Sequence, residues 1–172
     1  MSYKAEYDRS MNDPEGFWKE KAADLKWFKS PEKILSQDEH GIFHWFGDGE
    51  MNTVYMALDY HVENGRGDQA ALIYDSPVTD TKKTYTYSEL RDEVALAAGM
   101  LAGLGVEKGD RVIIYMPMIP EAVISMLATA RLGAIHSVVF GGFAAPELAQ
   151  RIEDAQPKVM ISASCGIEIK RV

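Results

Sequence analysis

The run Phe140-Gly141-Gly142 and the basic pair Lys170-Arg171 are the residues of this chain whose types and spacing could do chemistry. That chemistry is recognition rather than bond making. An aromatic ring offers a stacking face, and a glycine pair offers backbone that a flat or extended ligand reaches with no Cβ in the way. Two cations complement phosphate, so the set suits a nucleotide carrying phosphate. Each feature has a plainer alternative. A Gly-Gly after a strand can serve turn geometry and helix packing alone, and Lys170-Arg171 can be a solvated pair near the chain's end. The glycines fit neither GxGxxG nor GxxxxGK[ST], so neither phosphate fingerprint is present. No GxSxG elbow, metal quartet or carboxylate pair of telling spacing occurs. His61 has no second His or Cys at ligand spacing and reads as a partly buried structural histidine. His136, inside an apolar run, reads as a buried histidine with its hydrogen bonds satisfied.

The Phe140 triplet must be positioned by residues 111–143. Residues 112–116 are an apolar run ended by Pro117, a helical pattern covers 120–132 up to Gly133, and a second apolar run covers 135–140. This is the pattern of a βαβ crossover, whose parallel strands are expected to be buried on both faces. The glycine pair then stands just past a strand's C-terminal end, where open α/β sheets bind ligands. A further helix over 146–155 should turn Leu148 and Ile152 inward. Residues 159–162 make a third buried strand, which brings Lys170-Arg171 toward the same sheet edge.

Upstream, Thr86-Tyr87-Ser88-Glu89 is a capping box. It launches a helix whose apolar stripe is Leu90, Val94, Ala97, Leu101 and Leu104, ended by Gly105. Residues 70–74 and 84–86 read as a hairpin joined by a polar turn over 76–83. A helix over 53–63, capped by Asn52 and stopped by Gly65, precedes them. The fold class is α/β: part of a doubly wound, mainly parallel sheet with flanking helices, preceded by an irregular aromatic-rich N-terminal arm. Residues 1–50 form that arm and are expected to pack on the body, residues 51–172, itself the first part of a larger domain. Within the arm, Asp13-Pro14 starts a helix reaching about Leu25, and Trp27, Phe28, Phe43, Trp45 and Phe46 serve as packing surface.

The chain carries 18 Lys/Arg against 26 Asp/Glu, a formal charge of −8. Residues 1–64 hold 7 against 13 and residues 65–172 hold 11 against 13, so there is no basic stripe and nucleic acid is not an expected partner. A small polyanion needs only a local basic cluster. No apolar run approaches the roughly 20 residues of a membrane span, and MSYKAEYDRS has no apolar signal core. The single cysteine, Cys165, excludes an internal disulfide and fits a reducing cytosol. A cytoplasmic protein with no membrane partner is the expectation.

The residues YMPMIPEAVISMLATARLGAIHSVVFGGF resemble the N-terminal domain of AMP-forming short-chain acyl-CoA synthetases, the acetyl- and propionyl-CoA synthetase group of the adenylate-forming superfamily. DPEGFWKEKAADLKWFKSPEKIL resembles that group's N-terminal extension, and KKTYTYSELRDEVALAAGMLAGLGVEKGDRV agrees, so the resemblance spans essentially the whole chain. It implies a ligase that activates a small carboxylic acid with ATP and Mg2+ to an acyl-adenylate, releasing pyrophosphate, and then transfers the acyl group to coenzyme A, releasing AMP. By the same resemblance Phe140, Gly141 and Gly142 belong to the coenzyme A site, near its adenine and 3′-phosphate. Glu168 and Arg171, with Lys170 between them, fall where acetyl-CoA synthetases carry two arginines for that nucleotide; Arg171 fits and Glu168 departs. ISASCGIE is closer to propionyl- than to acetyl-CoA synthetases, which favours propionate, with acetate next. The family's phosphate loop, adenine contacts, magnesium carboxylate and catalytic lysine do not occur in these 172 residues. The chain is thus expected to be the front part of a longer enzyme, without catalytic or metal-binding residues and inactive alone, and an unpaired sheet edge would favour self-association. The competing reading is a free-standing, non-catalytic α/β module that binds coenzyme A or a partner.

Overall fold

Two short helices open the chain, each with a side chain ready to cap it. In the computed structural model, which describes residues 2–166, Ser2 Oγ accepts from Ala5 N–H at the start of α1 (Tyr3–Asn12). Asp13 Oδ1 accepts from Gly16 N–H at 3.0 Å, and Pro14 begins α2 (Pro14–Ala22), which ends three residues short of Leu25. An antiparallel hairpin follows, β1 (Leu35–Gln37) on β2 (Phe43–Trp45). Asp38 organises its turn by accepting from His40 and Ile42 N–H, 2.9 Å each. The His44 ring, 3.0 Å away, holds the Asp38 carboxyl below its usual range. These elements belong to the first of two compact units, Met1–Asn52. The arm therefore holds more regular structure than its composition suggests. Helix α1 is illegible to periodicity because it buries no residue.

The second unit is Thr53–Val172. It opens with a helical segment that begins at residue 53, is wound as π-helix over Tyr55–Asp59, and leaves helical geometry at Asn64 and Gly65. Gly65, at φ 77°, closes it where the sequence places the stop. Strands β3 (Ala70–Ser76) and β4 (Thr81–Thr86) make the expected hairpin, with longer strands and a shorter turn, residues 77–80. The capping box forms in full: Glu89 N–H to Thr86 Oγ1 at 3.2 Å and Thr86 N–H to Glu89 Oε2 at 2.8 Å. It opens α3 (Tyr87–Gly103), which ends in a Schellman motif. Gly105, at φ 83°, donates to Ala102 O, and Val106 N–H donates to Leu101 O. The buried face is Leu90, Val94, Ala98 and Leu101. Ala97 is half-buried, because the 3.6-residue period turns Ala98 inward instead, and Leu104 is exposed because it stands at the C-cap.

The remaining elements alternate: β5 (Arg111–Met116), α4 (Pro120–Arg131), β6 (Ile135–Phe140), α5 (Ala145–Ala155) and β7 (Val159–Ser162). They build a parallel sheet in the order β6-β5-β7. Val112, Ile113 and Ile114 of the central strand are fully buried. Val112 and Ile114 join one core with Leu90, Val94 and Leu101 of α3, Ile124 and Ala128 of α4, and Val54 and Leu58. Ile113, out of phase by one residue, is buried on the other face, as is Val139. Among the described residues β5 alone is a strand buried on both faces, which corrects the expectation for all three. Ile135, Val138 and Phe140 of β6 and Met160 of β7 are exposed. His136 is exposed too, not buried as its apolar neighbours suggest. Border strands have a neighbour on one side only, so their side chains stay open on the other. Leu148 and Ile152 are half-buried, and α5 buries no residue fully.

The N-terminal edge of the sheet is pinned by polar groups. Ile135 N–H donates to Asp110 O at 2.7 Å, and Lys158 N–H donates to Arg111 O at 2.8 Å, aligning β6 and β7 on the start of β5. Arg111 donates from Nε and Nη2 to Ala155 O and Gln156 O, a cation on the carbonyl end of α5. Arg131, in the last turn of α4, pairs at 2.5 Å with Asp59, both mostly buried. The Asp110 carboxyl accepts from Glu107 N–H at 2.8 Å and lies 3.1 Å from Lys158 Nζ. The backbone bond first, and the ammonium next, hold it below the usual carboxylate range. A carboxyl depressed in the fold contributes stability above its unfolded pKa and loses that contribution as pH falls through the folded value. Asp110→Asn should therefore lower the Tm near about pH 7 and approach the parent below about pH 3, under the carboxylate range. Thermal unfolding of both proteins across that window is the check, and a gap that ignores pH would contradict it.

Candidate functional site

The path of the chain reverses at β5. One crossover steps from β5 to β6, and the next passes back across β5 to β7. Because such crossovers are right-handed, α4 and α5 leave the sheet on opposite faces, and the loops after β5 and β6 part above the strand ends. A cleft of about 370 Å³ lies at this point. It is bordered by Pro117 and Met118 after β5, by Phe140, Gly141 and Gly142 at the end of β6, and by Gly166 after β7. Five residues of the β3–β4 hairpin complete it: Tyr74, Asp75, Ser76, Pro77 and Val78. The three residues singled out at 140–142 thus share one wall. Glu168, Lys170 and Arg171 lie outside the described residues.

The two glycines are needed for different reasons. A Cβ on Gly141 would sit 2.8 Å from Met116 O and 2.9 Å from Met116 C, inside contact distance of rigid backbone at the end of β5. A Cβ on Gly142 would meet only the Phe140 ring, at 2.6 Å from Cε1. Neither adopts a positive φ, so space and not conformation demands glycine. Phe140 is 65% exposed, and its face is therefore available to a ligand. The ring is nevertheless oriented. It meets Phe143 edge-on at 5.7 Å, the Arg151 guanidinium covers Phe143 at 5.3 Å, and Tyr115 OH donates to Phe143 O at 2.8 Å. Strand β5 thereby holds the loop that follows β6.

The cleft is suited to binding. Asp75 is the one charged side chain among its described residues, its Oδ2 2.9 Å from Lys82 Nζ across the hairpin. Ser76 is buried, and its Oγ accepts from Thr79 N–H at 3.4 Å, closing the turn. Among the described residues there is no group of three or more His, Cys, Asp or Glu that could hold a metal ion. The hairpin is the part of the site that sequence reasoning misses. Its residues read locally as strand and turn, and no pattern links residues 74–78 to residues 140–142. Gly141→Ala is expected to destabilise the protein by about 1–3 kcal/mol, the usual range for overpacking. Gly142→Ala, which has only a movable ring to displace, should cost less than about 1 kcal/mol on the same scale. Urea unfolding of the two variants would show the difference, and equal costs would refute this account of the loop.

Comparison with known proteins places the whole chain. Residues 58–171 match the AMP-binding enzyme family, and residues 3–57 match the acetyl-coenzyme A synthetase N-terminus. The chain is 58% identical to an uncharacterised protein of Pseudomonas aeruginosa, over all of this chain and 27% of that one. It is 51% identical to the human mitochondrial acyl-CoA synthetase short-chain family member 3, over 96% of this chain and 24% of the relative. It is 48% identical to the acetyl-coenzyme A synthetase of Streptomyces avermitilis, over 93% and 24% respectively. The chain thus spans about a quarter of the length of the curated relatives it matches. Since one family match covers most of the second unit and the N-terminal match covers the first, the chain belongs to the AMP-binding enzyme family.

Proposed function

We propose that the cleft is one wall of the coenzyme A site in an AMP-forming short-chain acyl-CoA synthetase, of which this chain forms the N-terminal portion. The observation that carries the reading is the Phe140-Gly141-Gly142 wall at the point where the sheet's path reverses. Coenzyme A ends in a purine nucleotide. The Phe140 ring packs over Gly142, where a Cβ would displace it, and stays 65% exposed, so it offers the base a surface to stack on. Lys170 and Arg171 would supply the cations for its phosphates, and Glu168 would weaken that clamp. The complete protein would activate a short-chain carboxylate with ATP, releasing pyrophosphate, and transfer the acyl group to the coenzyme A thiol, releasing AMP. The segment ISASCGIE favours propionate as the acid, with acetate next. Among the described residues no group of three or more His, Cys, Asp or Glu could hold Mg2+, and neither displacement is assigned to this chain's side chains.

Arg171→Ala should weaken coenzyme A binding by about 1.5–3 kcal/mol, the range for hydrogen bonds to charged groups. Titration calorimetry reads this directly, and an unchanged Kd would remove Arg171 from the site. The 172-residue chain supplied with ATP, Mg2+ and propionate should release no pyrophosphate. Release above background would show that the chain holds the activating machinery assigned here to the rest of the protein.

A further inference from the structure

The hairpin side of the cleft has a chemistry of its own. Pro77 and Val78 are apolar, and Val78 is 40% exposed, open to whatever enters. Asp75 sits opposite Lys82 in the strand register, so the ammonium engages Oδ2. Its other oxygen, Oδ1, has no protein partner among the described residues. The turn is preformed, with Ser76 buried and bonded to Thr79 N–H. The carboxylate, paired with Lys82, has no hydrogen-bond donor to offer a phosphate, so the phosphate end of a nucleotide would avoid this wall. A carboxylate is also an acceptor only, so it selects an N–H donor over a carbonyl.

We propose that the β3–β4 hairpin is the second wall of the base pocket. Pro77 and Val78 cover a planar heteroaromatic ring opposite the Phe140 wall, and Asp75 Oδ1 accepts a hydrogen bond from that ring's exocyclic amino group. The identity of the ring, an aminopurine, rests on the coenzyme A reading above. Asp75 is then a specificity determinant: it favours the amino base over its oxo counterpart, which would set a carbonyl against a carboxylate.

The test is calorimetric titration of the full 172-residue chain with two probes, coenzyme A and its deaminated hypoxanthine analogue. The parent should prefer coenzyme A by about tenfold, the weight of one hydrogen bond to a charged group. Asp75→Asn should bring the two Kd values within about twofold, because an amide can both donate and accept. Val78→Ser should weaken both ligands by about threefold and leave their ratio intact, since it removes only apolar cover. Both positions are exposed, so both variants should unfold with the parent. A parent that binds coenzyme A without discriminating, or an Asp75→Asn protein that keeps the parent's ratio, overturns the hairpin wall while the coenzyme A reading stands. A parent that binds neither probe overturns the coenzyme A reading, and this proposal with it.

Discussion

A strand with neighbours on both sides and cover on both faces leaves no room for a polar side chain in its interior. Strand β5 meets that constraint, with Val112, Ile113 and Ile114 fully buried. Its backbone groups are paired by β6 on one side and β7 on the other. Most of the second unit follows from satisfying this one strand. The capped helix α3 brings Leu90, Val94 and Leu101 to it, and α4 brings Ile124 and Ala128. Both helices end in glycines at positive φ, Gly105 and Gly133, which turn the chain back toward the sheet.

The same strand creates the cleft. Its two crossovers depart in opposite directions, so the backbone opens where it leaves β5 and β6. The opening is kept narrow at Gly141, whose backbone approaches Met116 O more closely than a Cβ allows. Tyr115, at the C-terminal end of β5, reaches Phe143 O and fixes the far side of the loop. Scaffold and site are coupled here through two residues of one strand. The opposite end of β5 carries the polar ties, Asp110 and Arg111, so the end that anchors and the end that binds are separated along its length.

Local rules made much of the architecture legible. The capping box at Thr86 and Glu89, the stops at Gly65, Gly105 and Gly133, and the apolar runs of β5, β6 and β7 act over a few residues. Each therefore appears in the chain as it appears in the fold. Legibility failed where burial depends on neighbours distant in sequence. An apolar run does not say whether a strand is central or at a border, so His136, Val138 and Phe140 look interior and are exposed. It failed for α1 as well, since a helix that buries nothing has no stripe to find.

For the candidate site the division is sharper. The sequence by itself determined that an aromatic and two glycines follow a parallel strand, and its long similarity to known chains determined the family. Only the tertiary structure decided that the order β6-β5-β7 opens a cleft at those residues, and that the Asp75–Val78 turn borders it. The reason is physical: a βαβ pattern reports the pairing of elements close in sequence, whereas the meeting of a hairpin near residue 76 with a loop near residue 141 is set by how α3 and the sheet pack. No local spacing encodes that packing.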